Sequence, residues 1–384
     1  MKHLSWAVTL IITTTAVFWS HIFFKEAIQA GQTQPQQSKK LLVEEPTMSG
    51  VTTKFSIVEE PFTSSMLHAF EQSLPKMAKE QDRVQTAAIL YRYRRPAGRT
   101  YLIKQLKQKP EVSIGPVMAA TVFTLKRDVT MLDSIVKVLS KNPELTPDFL
   151  LALADWQDPK ISDALLKTFQ TKPQDPYLAL ALARHGIKTV APQMRKIHDA
   201  IPAGEMDKIY FAVALTKLET DKSDEMLSSL LSRLKSNPRA ESEITNAFRD
   251  IKEKKAGPVF QAIIQDYLSK PKITTTANQV EQSEEVMAHV AEALAKTGDK
   301  SSDSLLSRLL LRLKKDPYPL SPQSRIARAL VSLESAQGNL IVKKVMGDQW
   351  LQQEQAKSTL EPIPDSFLMF NDRFDAVFRA VPQE

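Results

Sequence analysis

The chain has 384 residues, 42% of them hydrophobic and 25% charged, and carries a formal net charge of +7. That is the balance of a folded protein, too long for one ordinary core and too evenly patterned for two unrelated ones, which hints at repetition. The absence of cysteine excludes a disulfide framework, a thiolate zinc site and a cysteine nucleophile, and so modest a charge does not by itself point to nucleic acid.

After Lys2 and His3 comes a nearly charge-free apolar run, Leu4 to Phe24, long enough to cross a bilayer core of about 30 Å as a helix. Small Ala30 follows as a candidate last residue of a cleaved leader, with the tolerable but not favoured Ile28 three positions before cleavage. Residues 1–30 therefore read as a signal peptide or a retained membrane anchor. Either would place the remainder in the periplasm or another extracytoplasmic space.

Residues 31–61 are polar and irregular, with the Gln/Pro stretch Gln32 to Gln37 reading as a flexible linker. The linker carries Val43-Glu44-Glu45-Pro46 and again Val58-Glu59-Glu60-Pro61. Such a duplication is either a docking peptide or a coincidence around an extended segment.

From Phe62 to about Trp350 the chain is predicted to be helical, as expected of a sequence with only 10 glycines and few aromatics. Prolines at 110, 143, 173, 202, 238 and 271 fall 29 to 36 residues apart, and the next, Pro317, follows after 46 because of a polar insert, Lys272 to Gln282. Each closes a leucine-rich stretch, because a residue preceding proline is pushed out of helical geometry. Counting back eight and four residues gives Leu102 and Leu106, Ile135 and Leu139, Leu165 and Phe169, Met194 and His198, Leu230 and Leu234, Ile263 and Tyr267, Leu309 and Leu313. These positions share one helical face, so each such helix buries one stripe. Upstream of each lies a helix rich in small and apolar residues, such as Leu178 to Ala183, and between them a short turn. Gly98, Gly186, Gly257, Gly298 and Gly338 sit in those turns, where left-handed helix caps are expected.

The stretches Ala181-Leu182-Ala183-Arg184-His185-Gly186 through Ile197 and Leu294-Ala295-Lys296-Thr297-Gly298-Asp299 through Leu313 resemble HEAT-type repeats. The resemblance implies an all-α fold, an α-α superhelix of the HEAT/armadillo kind with about seven to eight helical hairpins over residues 62–350. It says little about activity, since such solenoids serve many partners. A tetratricopeptide array has a similar period, but the Trp-x-x-Leu-Gly-x-x-Tyr pattern is missing. Residues 351–384 form a C-terminal extension in which Phe367, Phe370, Phe374 and Phe378 recur at helical spacing. They predict a helix over 366–381 that caps the stack or docks on a partner.

No metal-ligand spacing links the six histidines, and phosphate loops and a nucleophile elbow are missing, so no metal, cofactor or catalytic residue is expected. His198 falls on a buried stripe, and the acid pairs Asp224-Glu225 and Glu284-Glu285 read as helix-start charges. What recurs is basic charge. Lys104, Lys137, Lys167 and Lys196 stand six residues before four successive prolines, on the side of the helix opposite the apolar stripe. Near them cluster Arg92, Arg94, Arg95 and Arg99, interleaved with Tyr91, Tyr93 and Tyr101. Both groups suit carboxylates, and an exported chain disfavours nucleic acid. The expected function is a non-enzymatic scaffold or adaptor binding a protein partner through that partner's acidic segment. The alternatives are a subunit of a membrane-associated assembly docking through the C-terminal helix, and an envelope-polymer enzyme, which would need a polar cleft.

Overall fold

The structure, a computed structural model, describes residues 62–108, 113–142, 144–218, 223–238, 241–271, 277–313, 321–364 and 367, with the backbone of 41–45, 53–57 and 369–371 and, of 277–281, the backbone alone. Packing divides them into two units, one comprising the described residues of 74–364 and the other those up to 73 and from 365. The apolar run 4–24 lies outside the described residues, among which no helix is long and apolar enough to cross a membrane.

The smaller unit holds strands β1 (Leu41–Glu45) and β2 (Thr53–Ile57), helix α1 (Ser64–Ser73) and strand β3 (Met369–Asn371). The sheet order is β1-β2-β3, antiparallel throughout, with Val43 opposite Phe55, and Phe55 opposite Asn371. Parts of the segment read as a linker are paired strands, with β2 covering most of the stretch Lys54 to Val58 that was read as extended, and Phe370 lies on a strand where a capping or docking helix over 366–381 was expected. The physical reason is that Phe-Leu-Met-Phe is a short apolar run, which periodicity alone cannot assign to helix or strand. A strand more than three hundred residues away supplies its backbone partners. Phe367 is buried, and Phe374 and Phe378 lie outside the described residues.

The larger unit is all-α. Among its described residues eight helix pairs follow in order: α2 (Glu80–Arg92) with α3 (Pro96–Leu106), α4 (Gly115–Lys126) with α5 (Leu132–Lys141), α6 (Pro147–Ala154) with α7 (Pro159–Thr171), and α8 (Pro176–His185) with α9 (Ala191–Ala200). Then come α10 (Met206–Lys217) with α11 (Ser223–Ser236), α12 (Ser242–Ile251) with α13 (Gly257–Ser269), α14 (Ala277–Lys296) with α15 (Asp303–Arg312), and α16 (Pro322–Ser332) with α17 (Ala336–Met346). Helix α18 (Asp348–Lys357) packs on the last pair. Helices α7, α9, α11 and α13 each stop two residues before Pro173, Pro202, Pro238 and Pro271, as the proline argument requires.

The two helices of a pair differ in burial. In α4 every residue from Gly115 to Thr124 is buried, and in α8 every residue from Leu178 to Ala183; a helix apolar all round is an interior helix. The second helices bury a single stripe, for example Ile161, Ala164, Leu165, Thr168 and Phe169 in α7. Fully buried Phe123, Phe149, Phe169, Phe211, Phe248 and Phe260 run through the stack, each stabilising it by about 2–3 kcal/mol. Each first helix packs on the next from α2 to α16, and α8 also reaches α12 two pairs on. The first helices therefore form a continuous row, with the second helices beside it.

The turn inside a pair recurs too. A residue with positive φ ends the first helix, and an acidic side chain then accepts a backbone N–H two residues on: Arg127 (φ 55) before Asp128, Lys252 (φ 53) before Glu253, Gly298 (φ 74) before Asp299. Of the five glycines expected at left-handed caps, Gly186 and Gly298 adopt that conformation; Gly98, Gly257 and Gly338 sit in the first turns of second helices instead. Arg127 is exposed, so Arg127→Gly removes a left-handed penalty of about 1 kcal/mol. After the entropy glycine loses on folding, the variant should be more stable by roughly 0.5 kcal/mol, read as a higher denaturant midpoint with unchanged slope.

Candidate functional site

The lysine row lies on the second helices. Lys104, Lys137, Lys167 and Lys196 stand on α3, α5, α7 and α9, all four are exposed, and none pairs with another of the described residues. Helices α3 and α5 pack together, as do α5 and α7, and packed helices lie about 8–10 Å apart. Asp133, one turn before Lys137, is engaged by Lys160 at 2.7 Å.

The arginine cluster is divided among several tasks. Arg99 reaches Asp128 at 3.4 Å, and Arg95 is the residue preceding the first turn of α3. Arg92 and Arg94 hold the segment that follows α18. The Arg92 guanidinium donates to the Glu361 carbonyl oxygen at 2.9 Å, and the Glu361 N–H donates to the Arg92 carbonyl oxygen at 3.2 Å. The Glu361 carboxylate is paired with Lys126 at the end of α4 and lies 3.7 Å from Arg94 Nε. The interleaved tyrosines do packing work: Tyr91 meets Phe123 edge to face at 5.6 Å, and the Tyr101 hydroxyl accepts from Arg83 and Gln105 at 2.9 and 2.8 Å. Burial first, then the negative charges of Glu361 and Asp128, push the Tyr91 hydroxyl up to about 12, with Arg99 opposing.

Two further charged clusters, not expected from the sequence, lie among the first helices. Packing of the first helices brings the ends of α6, α8 and α12 together: Asp155 accepts from Arg184 Nε at 2.7 Å and from Lys252 Nζ at 3.0 Å, while Arg184 Nη1 donates to the Asp250 carbonyl oxygen at 2.8 Å. Burial alone would raise the Asp155 carboxyl, but hydrogen bonds and charge from Arg184 and Lys252 outweigh it and hold the group below its ordinary value. Lys252 is pushed down by burial and by the charge of Arg184, against the pull of Asp155. Basic residues at these helix ends also face the negative end of each helix dipole.

The second cluster centres on Arg325 of α16. Its guanidinium grips Glu292 of α14 with two bonds of 2.7 Å, donates to Glu285 and reaches His289 Nδ1 at 3.1 Å. Glu285, His289 and Glu292 share one face of α14 because they are four and three residues apart. Glu285 was expected to be a helix-start charge; α14 begins at Ala277, so Glu285 lies in its interior, whereas Asp224 and Glu225 do occupy the first turn of α11. Tyr177 and Tyr210 lie 5.2 Å apart between α8 and α10; burial leads in pushing both hydroxyls up.

His198, expected to be a satisfied core imidazole, keeps 15% of its side chain in water and meets Asp199 at 3.0 Å. The buried histidine is His185, whose Nδ1 faces the Ala154 carbonyl oxygen at 3.3 Å and whose Nε2 bonds the Ser162 hydroxyl at 2.7 Å. Burial holds it below the usual histidine range. Among the described residues no cluster of His, Asp or Glu suits a metal ion. Comparison of the chain with protein-family models, with curated proteins and with solved structures found no match.

Proposed function

We propose that the chain is a HEAT-type α-solenoid acting as a non-enzymatic interaction scaffold, and that its lysine row receives an acidic segment of a partner protein. The observation that carries this is a difference between the two rows of helices. The charged clusters among the first helices are engaged with one another, as Asp155 with Arg184 and Lys252, and Arg325 with Glu285 and Glu292. Lys104, Lys137, Lys167 and Lys196 have no such partners among the described residues. Unpaired charge is what a partner can neutralise. The apolar run Leu4 to Phe24 supports an extracytoplasmic setting for that encounter, anchored or released.

Geometry also suggests the partner's form. Extended polypeptide rises about 3.3 Å per residue, so acids at every third residue repeat at about 10 Å and match the helix spacing. A synthetic extended peptide with Glu at every third position should bind the full chain, more weakly as salt rises. Replacing all four lysines by Glu should weaken it about 30-fold, corresponding to roughly 0.5 kcal/mol for each of four exposed pairs. Equal binding by the variant, with unchanged far-ultraviolet dichroism, would sink the assignment.

A further inference from the structure

The segment after α18 behaves as a ligand of the first helix pair. A carboxylate at a helix C-terminus faces the negative end of the dipole, yet Glu361 sits at the ends of both α2 and α4, with 13% of its side chain exposed. Cations make this placement tenable: Lys126 and Arg94 at the carboxylate, Arg92 at the carbonyl. Backbone recognition accompanies the charge, since the Glu361 N–H satisfies the last carbonyl of α2, one of the groups a helix leaves without an internal partner. Arg94 reaches the Thr359 carbonyl oxygen at 3.4 Å and holds a left-handed backbone (φ 58) that few arginines adopt. A cleft of about 270 Å³, lined by Arg92, Tyr93, Arg94, Thr359 and Leu360, runs along this seam, so the segment is not sealed into it.

The geometry points to Arg92, Arg94 and Lys126 as a receptor for a carboxylate presented at the end of a turn, filled in this chain by its own residues 359–361, which clasp α18 to the first helix pair. This surface is separate from the lysine row, and its test does not depend on that row. Release of the clasp opens the stack and frees a second carboxylate-binding surface.

Because the chain has no cysteine, Thr100→Cys on α3 and Gln355→Cys on α18, both exposed, can carry spin labels without background. With Glu361 present the full chain should give one narrow inter-label distance. Glu361→Lys and Lys126→Glu should each lengthen and broaden it, and the charge swap combining them should restore the narrow distribution. A fluorescent peptide spanning Ser358–Pro364 should then bind the Glu361→Lys chain at least tenfold more tightly than the unsubstituted one, whose receptor is filled. Dichroism reports that each variant is folded. An unchanged distance in Glu361→Lys, a swap that fails to restore it, or equal peptide binding by both chains would each overturn the proposal.

Discussion

Replacing Arg325 by Met destabilises the larger unit by about 3 kcal/mol, the low end of the range for breaking a buried ion pair. The methionine retains the volume but leaves Glu285 and Glu292 facing each other with no shared cation. The three side chains keep 14%, 15% and 25% of their surfaces in water, so solvent screens part of the loss. Because neighbouring pairs supply most contacts in a stacked array, the damage should be local. Hydrogen exchange should accelerate in α14 to α17 while α2 to α9 stay protected. The triple variant that also carries Glu285→Gln and Glu292→Gln should recover most of the stability, since no uncompensated charge remains. Uniform loss of protection along the stack would count against this account.

The same substitution has a defined pH signature. In the unsubstituted chain burial would raise Glu292, but Arg325, with Arg249 and His289 behind it, holds the carboxyl below its ordinary 4.5. A depressed carboxyl contributes stability that is fully present above the unfolded value and is lost as pH falls through the folded one. In Arg325→Met the direction reverses, because burial is no longer opposed by that guanidinium. The variant's cost then grows as pH rises through the unfolded value and is complete above the raised folded one. The stability gap between the two chains should therefore be widest above the raised folded value and shrink as pH falls into the ordinary carboxylate range. Denaturant midpoints measured across that interval check it, and a gap that widens on acidification would reject the assignment.

How much of this was readable in the sequence depends on how local the cause is. The stripes of the second helices, Leu102 with Leu106 or Leu165 with Phe169, follow from helical spacing and are buried as expected. So is the all-α character of residues 74–364. The caps were less readable, because Arg94, Arg127, Lys252 and Glu334 occupy left-handed positions that glycine would fill more easily. The charge clusters among the first helices were invisible for a different reason. Arg325 and Glu292 are 33 residues apart and Asp155 and Lys252 are 97 apart, so each looks like an ordinary helix-surface charge until packing brings the helices together. Exposure of the lysine row was legible from phase alone; the claim of Glu361 on Arg92 and Arg94 was not.

Gly98→Val separates two explanations for glycine that are identical on paper. Gly98 and Gly257 both lie near starts of second helices and both suggested a conformational cap, yet neither has positive φ. A β-carbon built on Gly98 falls on the Ala87 carbonyl oxygen and the Tyr91 amide nitrogen and lies 2.8 Å from Leu90 Cβ. Two of those are backbone atoms of α2, which move only if α2 and α3 part. Interiors packed at crystal density do not absorb such a shift, so Gly98→Ala should cost at least about 3 kcal/mol and Gly98→Val should melt the first pair. At Gly257 the nearest comparable atoms, on Thr297, are 4.0 Å away. Gly257→Ala therefore meets no obstacle and should be neutral or stabilising by up to about 1 kcal/mol, because alanine loses less backbone entropy in a helix. The first pair also carries Arg92 and Arg94, so its melting should release Glu361, lengthening the Thr100–Gln355 label distance in Gly98→Val but not in Gly257→Ala. If the two substitutions cost the same, close approach of α2 and α3 is not what selects glycine at 98.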